Sequence, residues 1–130
     1  MNKQFKAVIY GQAHECAAIA EMLRAHPLLA ERDHNHCCAT SHEDFHMQLV
    51  EHSPNLVIVA ENGAAGMEGV YLANDIRPIV PVFWFSDDQD FCMQSHRLDC
   101  IYFSLKPVTP EKLTKALQHC RHLGISLKRK

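Results

Sequence analysis

Four short, largely apolar runs punctuate the chain, at residues 7–10, 56–60, 81–85 and 100–105, and the polar stretches between them carry apolar residues at helical spacing. Runs of four to six apolar residues without alternation suit strands buried on both faces, the habit of a parallel sheet. The first run closes at Gly11. A helix is predicted from about residue 14 to 26, with Cys16, Ile19, Ala20 and Leu23 on one stripe and Pro27 as its stop. Residues 33–40 begin polar and then read Cys37-Cys38-Ala39, which suits an edge strand. Ser41 caps the next helix, to about residue 52, with Asp44 at the third helical position. Phe45 and Leu49, with Met47 as a further candidate, face inward there. Residues 61–66 form a small-residue loop before a helix over 67–76. The strand ending at Ser86 is followed by a helix that starts at Asp87-Asp88 and reaches about Leu98. The last helix has Thr109 as N-cap, Pro110 at its first position, Leu113, Ala116 and Leu117 on one face, and Gly124 past its end.

Five strands alternating with five helices predict an α/β fold, a flavodoxin-like doubly wound five-stranded parallel sheet in the order 2-1-3-4-5. Val8, Ile9, Val57, Ile58, Val82, Phe83 and Ile101 are its expected core. At 130 residues the chain suits one compact domain over 1–124, with a basic tail at 125–130 as a candidate linker to a further effector domain. A net charge of −2 with scattered Lys and Arg leaves no basic face, so nucleic-acid binding by this domain is not expected. The N-terminus lacks a signal-peptide pattern and no apolar run reaches membrane-spanning length, so a cytoplasmic protein without membrane contact is expected. In that compartment the six cysteines read as reduced core or surface thiols.

The candidate chemistry gathers where strands end. Strand 4 closes on the hydroxyl of Ser86, and twenty positions later strand 5 delivers Lys106-Pro107 into the crevice of the sheet. With Gly66-Met67-Glu68-Gly69, the strand at 56–60 and the run at 104–107, this pattern resembles the receiver domains of bacterial two-component response regulators. The resemblance implies a Ser or Thr and a Lys serving a phosphorylated aspartate, two acidic residues after strand 1 holding magnesium, and an aromatic switch residue three positions before the lysine. Here the acidic pair is replaced by Gly11 and Gln12, and the aromatic position holds Phe103. The phosphoacceptor position falls on Ala60 counting from Pro54 and on Glu61 counting back from Gly69, and neither is aspartate.

Phosphoryl transfer rests on positioning and charge neutralisation, so losing the metal ligands and the nucleophile together removes the activity. The resemblance therefore implies a degenerate CheY-like pseudo-receiver: no enzyme, no cofactor, and a role in signalling by protein contact. The expected contact face is helix 4, strand 5 and helix 5, with Phe91 and Met93 as candidate anchors and a homodimer among the candidate complexes. If Glu61 points into the crevice it holds a negative charge near Lys106, as a phosphate would; the alternative is a solvated loop residue at Glu61 and a vestigial Lys106.

A rival reading comes from the ten histidines. His34, His36, His42 and His46 gather near Cys37 and Cys38, and His42 and His46 are one helical turn apart, as metal ligands can be. A small-ligand or metal sensor using this cluster or the strand-end crevice is the alternative, although no standard ligand spacing is present.

Overall fold

The protein is described by a computed structural model over residues 4–29 and 32–122. Five parallel strands, β1 (Gln4–Tyr10), β2 (Asp33–Ala39), β3 (Leu56–Val59), β4 (Val82–Ser86) and β5 (Tyr102–Leu105), form one sheet in the order β2-β1-β3-β4-β5. The helices α1 (Ala13–Ala25), α2 (His42–Glu51), α3 (Gly63–Ile76), α4 (Phe91–Ser95) and α5 (Pro110–His122) connect them. This is the predicted architecture. Gly124 and the tail at 125–130 lie outside the described residues.

Alternation along the strands assigns the two faces. Phe5, Ala7, Ile9, Leu56, Ile58, Phe83 and Phe85 pack with α1 and α5, whereas Val8, Tyr10, Val57, Val59, Val82 and Trp84 pack with α2 and α3. The central strands are apolar on both faces because both are covered. Of the expected core, six residues are fully buried and Ile101 is partly buried against the α1/α5 face. Each large apolar side chain sealed in this way contributes roughly 1.5–3 kcal/mol. The β2 edge is exposed or half-buried from Asp33 to Cys38, and only Ala39 at its end is buried.

Three expectations need correction. Residues 63–66 are not a loop: α3 begins at Gly63, so Gly66-Met67-Glu68-Gly69 lies inside the helix. The reason is packing. A Cβ on Gly69 would lie 2.8 Å from the Tyr10 ring, and one on Gly66 would collide with the Glu61 carbonyl oxygen and lie 3.3 Å from the Trp84 indole nitrogen. The two glycines, one turn apart, let α3 press against the aromatic side chains of β1 and β4. Second, α4 is five residues long and stops at Ser95, short of Leu98. The following chain is held instead by Asn74 of α3, whose side chain exchanges two 3.0 Å hydrogen bonds with the backbone of Asp99. Third, Met47 is 55% exposed, because α2 buries only the stripe through Phe45 and Leu49.

Two polar devices complete α2. Ser41 accepts the Asp44 N–H at 3.1 Å as its N-cap. At the other end Arg77, just past α3, donates to the carbonyls of Leu49, Val50 and His52 at 2.8, 3.1 and 2.8 Å, satisfying acceptors that the helix leaves open.

Candidate functional site

The carboxyl ends of the strands form the crevice from which α1, α3 and α5 depart. Where β1 ends, the Gly11 N–H donates to Ala39 O at 3.0 Å, and a Cβ on Gly11 would lie 3.3 Å from the Ala60 methyl. Ala60 is fully buried and continues the β3 ladder, its N–H donating to Tyr10 O at 2.7 Å. Gln12 is exposed at the N-cap of α1 and its side chain makes no capping bond. Gly11 and Ala60 thus bring no charge to the ends of β1 and β3.

At the end of β5, Lys106 is fixed by its backbone N–H, which donates to Ser86 O at 2.9 Å, and is followed by a cis Lys106–Pro107 peptide. Lys112, in the first turn of α5, braces the turn by donating to Leu105 O at 2.6 Å and Pro107 O at 2.9 Å. Thr109 accepts the Lys112 N–H at 3.2 Å, the N-cap bond expected of it.

The Lys106 side chain does not meet Glu61. Its Nζ lies 2.6 Å from Glu15 Oε2, with the two side chains only 14% and 21% exposed. Nζ is sealed from solvent and makes no aligned hydrogen bond, so the contact is a close ion pair. Glu15 stands in the first turn of α1, which rises from the end of β1 over the crevice. Glu61 precedes α3 on the other side. There, after burial itself, the charges of Glu61 and then Glu68 raise the Tyr10 phenol above its ordinary range. The sequence signal for Glu15 was a carboxylate in a first helical turn, which by itself reads as a complement to the helix dipole.

Ser86 is fully buried, and its Oγ accepts the Asp88 N–H at 3.2 Å, a local turn bond. Phe103 packs edge-on against Trp84 with ring centroids 5.1 Å apart. Phe91 also packs against Trp84, tilted, with centroids 5.7 Å apart, whereas Met93 is 71% exposed.

The histidines separate into two groups. His34 and His36 share a face of β2, with His34 Nδ1 3.0 Å from His36 Nε2, and both rings approach Phe5 edge-on. Burial first, then the charges of His34 and Arg24, push His36 down to about 4. His42 and His46 are exposed on α2 and do not join them. Among the described residues no group of three or more His, Cys, Asp or Glu side chains is placed to hold a metal ion. Likewise, no described helix is long and apolar enough to cross a membrane.

No family model and no curated protein matches the chain. Its shape does match solved structures. A response regulator receiver domain from Clostridium thermocellum is similar over 92% of this chain and 96% of its own, with a TM-score of 0.73 and 17% identity. The CheY-like receiver domain from Methanospirillum hungatei is similar over 92% and 98%, at 0.65 and 16%. The signal receiver domain of a modulated diguanylate cyclase from Desulfovibrio desulfuricans is similar over 91% and 94%, at 0.70 and 15%. The fold is that of a CheY-like receiver domain. On this receiver fold, Lys106 and Ser86 sit at the carboxyl ends of β5 and β4, and Gly11 and Ala60 at those of β1 and β3.

Proposed function

We propose that the chain is a receiver-type signalling module that acts by protein contact and does not accept a phosphoryl group. One observation carries this reading: Gly11 and Ala60 meet without a carboxylate at the ends of β1 and β3, while Lys106 is already neutralised by Glu15. A magnesium ion requires several oxygen donors, and phosphoryl transfer requires a nucleophile beside it. Gly11 offers no side chain, Gln12 only a neutral amide, the Glu15 carboxylate is committed to the lysine, and Glu61 belongs to no group of three or more side chains placed to hold a metal among the described residues. The donor set does not fit the metal, and no metal-dependent step is assigned.

The Glu15 carboxylate stands against Lys106 where a phosphorylated receiver would bring a negative charge. Lys106 then has a counter-charge supplied by the chain itself, without a phosphodonor. The face of α4, β5 and α5 is the proposed contact surface. Met93 and Leu105, 71% and 39% exposed, are its apolar residues, while Phe91 supports it from beneath against Trp84. The test is incubation with acetyl phosphate and magnesium, read by intact mass. An unchanged mass is expected, and a stable adduct of phosphoryl mass would overturn the reading.

A further inference from the structure

Cys16 and Cys38 lie on the same side of the sheet, where α1 covers the end of β2. In the parallel ladder Cys38 pairs with Ile9, so its side chain leaves the sheet on the Ile9 side, the side covered by α1. The Cys16 thiol, in the first turn of α1, points back onto that place. Its Sγ lies 3.6 Å from the carbonyl oxygens of both Ile9 and Gly11 and 4.0 Å from that of Ala39, the residue after Cys38. Burial pushes the Cys16 thiol up to about 12, and the neighbouring Cys38 is the next cause. Exposure separates the two: Cys16 is fully buried, whereas Cys38 is exposed on the edge strand. Cys37 leaves the sheet on the opposite face beside Val8, and Cys92 is on α4. Cys120 is buried on α5 and Cys100 is half-buried before β5.

We infer that Cys16 and Cys38 form a redox-active dithiol, in which the exposed Cys38 reacts first and the buried Cys16 resolves it to a disulfide tying the first turn of α1 to the carboxyl end of β2. A low-molecular-weight disulfide such as oxidised glutathione is the oxidant. The Cys38 thiolate attacks one of its sulfurs, forming a mixed disulfide and expelling one glutathione thiolate. The expelled thiolate takes from solvent the proton that Cys38 gave up; Cys16 then attacks Cys38 Sγ and expels the second glutathione, which leaves with the Cys16 proton. Two protein thiols are oxidised by two electrons, and one glutathione disulfide is reduced to two thiols. Because burial keeps Cys16 protonated, the second step is the slow one, and the mixed disulfide accumulates first.

The position gives this chemistry a consequence. Cys16 follows Glu15, the partner of Lys106, and its thiol touches the carbonyl of Gly11 at the crevice. A bond from Cys16 to Cys38 constrains the turn that presents Glu15. The inference holds whether or not the module accepts phosphate.

The test treats the folded full chain with oxidised glutathione at mildly alkaline pH, quenches with acid, alkylates under denaturing conditions and maps the peptides. The expected product has Cys16 linked to Cys38 and the other four cysteines alkylated, preceded by glutathione on Cys38. Cys16→Ala should stop at the mixed disulfide. Cys38→Ser, at an exposed position that leaves the core untouched, should leave Cys16 reduced. Glutathione retained on Cys38 with Cys16 still alkylated, or linkage only between molecules, would overturn the inference.

Discussion

Where β1 and β3 end, Gly11 stands against Ala60 and α3 presses through Gly66 and Gly69 onto Trp84 and Tyr10; where β4 and β5 end, Ser86, Lys106 and Lys112 keep polar atoms in use. The first side is closed by the close approach of backbone and rings, and Gly11 and Ala60 themselves bring no carboxylate, Glu61 standing just beyond them before α3. The second is held by hydrogen bonds and one ion pair, and the carboxylate of that pair comes from across the crevice, on α1. Close packing tolerates no added atom, whereas the polar side tolerates small changes that keep charges matched. The difference shows that one fold can close one end of its strands by packing and the other by polar contacts.

The comparison is most directly broken at Gly66. An added Cβ meets backbone, so Gly66→Ala should cost about 3 kcal/mol in urea or guanidinium unfolding. Gly63, whose φ of 65° is left-handed but whose surroundings are open, should lose only about 1–2 kcal/mol on the same substitution. Equal losses at the two positions would mean that α3 is not pressed against Glu61.

On the polar side, Glu15→Gln leaves Lys106 sealed without its counter-charge and should cost about 1–2 kcal/mol, allowing for the remaining exposure of the pair. Lys106→Met should cost less, since the Glu15 carboxylate is nearer solvent. A double-mutant cycle measures the coupling, and a coupling near zero would show that the two charges do not sense each other.

The β2 edge sharpens the comparison by placing a titratable group where neither packing nor pairing accommodates its charge. His36 is held neutral down to about 4 in the fold, whereas the unfolded chain takes up its proton near 6.5. The unfolded state therefore binds more protons between these values, so stability is full above 6.5 and falls as pH drops toward 4. A loss on the order of 1–2 kcal/mol is expected across that window, and His36→Leu should flatten this part of the profile. His26, lowered by burial and bonded to Thr114 at 2.7 Å, acts in the same direction.

The smallest difference is in the helix starts beside the crevice. Thr109→Ala removes the capping bond to Lys112 and should cost about 1 kcal/mol, whereas Asn62, at the N-cap of α3, makes no side-chain cap bond and should be nearly neutral to Ala. Thermal unfolding of the two variants separates them.

Local pattern decided most of the architecture. The apolar runs at 56–60 and 81–85 specify buried strands because every residue in them is apolar, and Ser41 and Thr109 announce helix starts through a short-range bond that a four-residue window contains. The positions of Lys106, Ser86 and Phe103 at strand ends were legible for the same reason. The start of α3 was not: glycine and alanine at 63–66 look like a loop in isolation, and only the rings of Trp84 and Tyr10, brought over by β4 and β1, make small residues the ones that fit a helix there. Nor was the partner of Lys106, since a carboxylate at position 15 and an ammonium at position 106 meet only because α1 and α5 cover the same face of the sheet and the two side chains reach toward each other across the strand ends between β1 and β5. The facing of Cys16 and Cys38 likewise depends on the register of β2 against β1. Propensity and periodicity act over a few residues, so they fixed the elements and the strand-end residues, while charge and sulfur pairs were decided by the order in which the sheet assembled its strands.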